Sequence, residues 1–153
     1  MNLLFITPYL PSETSGHAGA QLIFRNITSL AKNHDITLAS FIDSDEYSML
    51  GYLVDHGIEV HTIAYPRNQK SITGKISSGI RNLRPLVQQI IGEELFFFAK
   101  YKSEKMAELI SKLIEKNNYD LVQVEYNVMH HYSEEIGDIP KLIVFHDVST
   151  KVH

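Results

Sequence analysis

His146-Asp147 closes an apolar run, Leu142 to Phe145, and so sets an imidazole and a carboxylate where a buried strand gives out. A histidine held there by rigid backbone can donate to a sugar hydroxyl or stabilise charge on a leaving phosphate. It can equally be structural, bonded to a nearby carbonyl. Glu125 and Tyr126 follow a second such run, Leu121 to Val124. Their carboxylate and ring suit sugar hydroxyls and ring stacking, or else they are solvated strand-end side chains. Gly16 and Gly19 bracket His17 in the loop ahead of a helical stretch. Paired glycines there let backbone N–H groups approach a phosphate or a sugar at a positive helix end, although loop punctuation has the same appearance.

Other chemistries fit less well. Asp43 ends the second apolar run, where a ribose-binding acid would sit, but Pro8 and Pro11 replace the tight turn and the first glycine of a dinucleotide fingerprint is missing. Gly74-Lys75 has the form of a phosphate-loop tail, with Gln69 where its earlier glycine belongs. Ser12, Thr14 and Ser15 give faint support to a flavin phosphate cradle. Eight histidines supply no H-x-x-x-H pair on a helix, and the adjacent His130 and His131 point apart on either regular element. Absence of cysteine removes disulfides and thiolate ligands. No cofactor and no metal are therefore expected. The Phe96-Phe97-Phe98 run reads as helix packing.

The elements that would position these residues alternate. Leu3–Thr7 is apolar without polar alternation, as in a strand covered on both faces. Ile23, Ile27, Leu30 and Ala31 then share a helix face that ends at Asn33. A strand over 36–42 follows, with a short helix over 46–55 closed by Gly57 and a third strand over 58–64 stopped by Pro66. The polar stretch 67–84 reads as a loop, and Pro85 opens a helix in which Val87, Ile91, Leu95 and Phe98 share a face. Ser103 caps another, whose buried stripe is Met106, Leu109, Ile110, Leu113 and Ile114. Fourth and fifth strands fall at 121–124 and 142–145. Strands separated by helices make a doubly wound parallel sheet, an α/β Rossmann-like domain. In the order 3-2-1-4-5 the ends of strands one, four and five are neighbours on one rim, where ligands of such sheets bind.

The totals bound the rest. A chain of 153 residues is one domain with room for a core. The net charge of −4 carries no basic block, so nucleic acid is not an expected partner. Met1 to Leu10 lacks the basic start of a secretory signal, and nothing approaches the roughly 18 apolar residues of a membrane span. The expected location is cytoplasmic. Arg67, Lys70, Lys75, Arg81 and Arg84 form a mildly basic stretch that is either a solvated loop or a peripheral contact with anionic lipid at the inner membrane face.

The opening Asn2-Leu3-Leu4-Phe5-Ile6-Thr7-Pro8-Tyr9-Leu10-Pro11 and the loop Ser15-Gly16-His17-Ala18-Gly19 resemble group-1 (family 4) glycosyltransferases of the GT-B fold. So do the strand Tyr119-Asp120-Leu121-Val122-Gln123-Val124-Glu125-Tyr126 and the strand ending in His146-Asp147, in the same order across nearly the whole chain. The resemblance implies two Rossmann-like domains across a cleft, with residues 1–153 as the N-terminal, acceptor-side one. It implies a nucleotide-sugar donor held mainly by a C-terminal domain, a glycan or lipid-linked acceptor, and transfer with retained anomeric configuration. Gly16 and Gly19 would line the loop near acceptor and donor phosphate, and His146 would match the family's active-site histidine. His17 and Ala18 stand where relatives often carry basic residues. The sequence lacks the family's donor-binding glutamates and stops at His153 soon after a strand, so a cut from a longer protein, inactive alone, is expected. The alternative is a stand-alone flavodoxin-like or regulatory α/β module. An epimerase or reductase half lacks the glycine triplet and a Tyr-x-x-x-Lys pair.

Overall fold

A computed structural model describes residues 1–64 and 101–146. The expected helix after Pro85, the basic stretch 67–84, Gly74-Lys75, the phenylalanine run, Asp147 and the chain end lie outside the described residues.

Five parallel strands form one sheet in the order β3-β2-β1-β4-β5. They are β1 (Asn2–Thr7), β2 (Asp35–Ile42), β3 (Glu59–Ala64), β4 (Leu121–Glu125) and β5 (Lys141–Val144). The order reverses between β1 and β4, which pair from Leu3↔Leu121 to Ile6↔Val124. This is the Rossmann arrangement, and it differs from the flavodoxin-like order 2-1-3-4-5. The described helices are α1 (Ala18–Leu30), α2 (Leu50–Asp55), α3 (Glu104–Lys116) and α4 (Ser133–Ile136), with 3-10 turns at Ser44–Met49 and Asn127–Tyr132.

Alternation along the strands divides the core into two layers. Leu3, Phe5, Ile36 and Leu38 pack under Ile23, Phe24 and Ile27 of α1 and Leu53 of α2. Leu4, Ile6, Phe41, Val122 and Val124 face Met106, Ile110 and Leu113 of α3. Covering both faces is why β1 reads as an unbroken apolar run from Leu3 to Ile6 and why every residue of β2 after Asp35 is buried. Gly57, with φ +76, closes α2 in the left-handed region.

Three local expectations are corrected. Ser103 occupies the cap position of α3, but its hydroxyl makes no cap bond. Instead its N–H donates to the Tyr132 hydroxyl at 3.0 Å, and that hydroxyl donates to the Tyr101 carbonyl at 2.7 Å. The buried stripe of α3 is Met106, Ile110 and Leu113, while Leu109 and Ile114 are half-buried at its margins. Finally, β5 spans 141–144, because β4 stops pairing at Glu125↔Val144. Tyr126 then turns to positive φ and donates its N–H to the Val144 carbonyl at 2.9 Å. Phe145 is left unpaired and 60% exposed.

Candidate functional site

The carboxyl ends of β1, β4 and β5 bring together five of the six nominated residues. Glu125, at the end of β4, is 1% exposed, so it is no solvated strand end. Its two oxygens are held separately: Oε2 lies 2.6 Å from His146 Nε2, and Oε1 accepts from Gln123 Nε2 at 2.6 Å. Gln123 and Glu125 are two apart on one strand and therefore share a sheet face. An ionised carboxylate only accepts, so the bond to His146 places a hydrogen on Nε2 and leaves Nδ1 on the opposite side of the ring. Charge-assisted pairs of this length are the strong class of hydrogen bond. The pair is nearly dry, with the His146 side chain 11% exposed.

Tyr126 covers the imidazole. Its ring stacks on His146 with centroids 4.1 Å apart and planes 24° from parallel. The backbone reaches this position at φ 71, ψ 138, and among the described residues no other non-glycine residue has positive φ. For a bulky aromatic side chain that geometry is a true outlier, costing on the order of 1–3 kcal/mol. Tyr9 meets Tyr126 edge to face at 5.2 Å, and its phenol is hydrogen-bonded to that of Tyr126. Burial first, then that bond, holds the Tyr9 phenol well above its ordinary ionisation range. His17 stacks on Tyr9 with ring centroids 5.6 Å apart.

Gly19 belongs to the cluster for a reason other than phosphate approach. It is the second residue of α1, and a methyl group there would overlap the Tyr126 hydroxyl and come within 2.9 Å of the Tyr9 hydroxyl. The space a side chain would take is filled by Tyr126. Gly16 stands apart: it is exposed, with no described residue within 4 Å of where a Cβ would be. His17 caps α1 by position, without a side-chain bond, and the first turn has no acidic residue.

Two residues of the site were not singled out from the sequence. Tyr9 sits two residues beyond β1, in a loop whose prolines, hydroxyls, glycines and His17 drew the sequence argument instead. Gln123 had a signal, a polar residue two before Glu125 in an otherwise apolar strand. Thr7, the last residue of β1, adds a buried hydroxyl with no hydrogen-bond partner among the described residues. Asp43 is engaged elsewhere: it closes a capping box with Glu46 at the start of the 3-10 turn. A separate cavity of about 470 Å³ opens between the start of α3 and residues 130–135, and none of the rim residues lines it. Among the described residues no three His, Asp or Glu side chains gather as metal ligands.

Fold and site together define a parallel, doubly wound α/β domain with a His–Glu pair at its topological switch point. No protein-family model and no curated protein matches the sequence. Among solved structures the chain is similar to the C-terminal domain (residues 78–226) of PF1911 hydrogenase from Pyrococcus furiosus. The match covers 93% of this chain and 89% of that one, at 13% identity and a TM-score of 0.51. A second structure of that domain (residues 83–215) matches at 14% identity over 94% and 90%, with a TM-score of 0.46. At such identity the first likeness speaks to the α/β fold alone. Among the described residues no helix is long and apolar enough to cross a membrane.

Proposed function

We propose that residues 1–153 form the acceptor-side domain of a retaining GT-B glycosyltransferase, with His146 facing the transferred sugar. The observation that carries this reading is the buried Glu125–His146 pair at the rim where β1 and β4 diverge. A carboxylate that fixes one ring nitrogen leaves the other to bond a sugar hydroxyl or a departing phosphate oxygen, the same logic by which an acid orients a histidine in hydrolytic triads. In this reading His17 and the exposed Gly16 contact the acceptor, whereas Glu125, Tyr126 and Gly19 build the wall behind His146. The nucleotide-sugar is held mainly by a second domain, and the acceptor is a glycan or lipid-linked sugar taken from the cytoplasmic side.

Reading the coding frame beyond His153 tests this. A further ~150–200 residues of strand–helix pattern, with paired glutamates on a helix, is the expected result. A stop codon directly after His153 overturns the proposal and leaves a stand-alone binding module.

A further inference from the structure

We infer that Tyr126 is the positioning residue of the His146 site, acting through the imidazole rather than by stacking on a sugar. Its functional meaning rests on the role proposed for His146; the geometry does not.

Three restraints converge on the Tyr126 ring. One face lies on His146 at 4.1 Å, the edge meets Tyr9 at 5.2 Å, and the hydroxyl occupies the space above Gly19. The face turned to His146 is thereby closed to any sugar ring. Glu125 and Tyr126 restrain the imidazole in complementary directions. A hydrogen bond to Nε2 acts in the ring plane and fixes where the ring's edge points, while a stacked neighbour acts along the normal and fixes its tilt. Either alone leaves one rotation free. Both together hold a single orientation and, through the bond to Glu125, a single tautomer.

The backbone supports the same conclusion. A tyrosine at φ 71 persists only where its surroundings over-determine it, and such residues cluster at functional sites. Asn127, a residue type that tolerates left-handed backbone, is the very next position, yet the turn falls on the tyrosine. The contacts of the Tyr126 side chain are what set the turn there. Gly19 completes the arrangement, because any larger residue at that position would expel the hydroxyl.

The test is nitrogen NMR of the histidine rings in the 153-residue chain, with His146→Gln identifying the His146 signals. Wild type is expected to show one sharp set of His146 ring signals, with the hydrogen on Nε2. The bond to Glu125 keeps the hydrogen there in every variant, so the tilt is read from the shift and width of the ring signals. Tyr126→Leu is expected to shift and broaden them in a chain whose other amide signals are unchanged, and Tyr126→Phe, which keeps the stacked ring, to leave them sharp. Should Tyr126→Leu fail to fold, Gly19→Ala displaces the ring from the far side and is expected to give the same change. Sharp, unshifted ring signals in a folded Tyr126→Leu or Gly19→Ala chain overturn the inference, as do broadened signals in Tyr126→Phe or in wild type. No sugar enters this experiment, so its outcome is separate from that of the glycosyltransferase reading.

Discussion

The Glu125 carboxylate, 1% exposed, has its two oxygens divided between Gln123 and His146, each at 2.6 Å. The His146 ring is therefore part of the fold as well as part of the site.

Removing the imidazole should strand a buried charge. His146→Ala is expected to cost about 3–5 kcal/mol, the range for breaking a buried pair from one side. Glu125→Gln added to it removes the charge and should recover a large part of that loss. Urea denaturation of the two single variants and the double variant measures this, and additive losses would contradict the pairing.

Gly19 and Tyr126 should behave as a coupled pair. Gly19→Ala overpacks the space held by the Tyr126 hydroxyl and is expected to cost about 1–3 kcal/mol. Tyr126→Phe deletes that hydroxyl, so Gly19→Ala should cost much less in the Tyr126→Phe background. A double-mutant cycle reads the coupling directly. Equal costs in both backgrounds would mean the glycine is there for another reason.

Much of this architecture could be read from the sequence, for definite physical reasons. β1 is covered on both faces, so its apolar run appears without alternation, and the strand order brings together the loops that were expected to meet. The carboxyl-end rule then pointed to Glu125, Tyr126 and His146 without any contact information. Hidden from the sequence was what each residue does. Nothing local distinguishes a glycine that admits a phosphate from one that admits a tyrosine 107 positions away, as Gly19 does with Tyr126. The left-handed turn at Tyr126 was equally invisible, since it arises from tertiary contacts against the residue's own preference. At that turn the β4–β5 pairing ends at Val144, which leaves Phe145 beyond the strand and exposed.

Alkaline pH should destabilise the domain through its tyrosines. Burial pushes Tyr132 up to about 12 and raises Tyr9 and Tyr119 above their ordinary value near 10. A folded pKa above the unfolded one means that the stabilisation is complete below about pH 10 and is lost as pH rises toward the folded value. The Tm should stay level up to about pH 10 and fall steeply between about pH 10 and 12, with a smaller fall in Tyr132→Phe. A Tm that is flat across that interval would contradict these assignments.

Acid acts through His131. Burial first, then the neighbouring His130, holds its pKa below the ordinary 6.5. The unfolded chain consequently binds more protons than the folded one in the window just below that value, and stability declines as pH drops through it. His131→Gln should flatten the Tm profile between about pH 6.5 and 5 relative to wild type. An unchanged slope would place the acid sensitivity elsewhere.

Sugar transfer by the product of the whole coding frame that contains this chain tests the functional claim most directly, with wild type and His146→Ala compared and the product's anomeric configuration read by NMR. The expected result is transfer with retained configuration, lowered on the order of 10²–10³-fold in His146→Ala, as when one preorganised donor is removed from a transition state. Transfer undiminished in His146→Ala, or a product of inverted configuration, would contradict it.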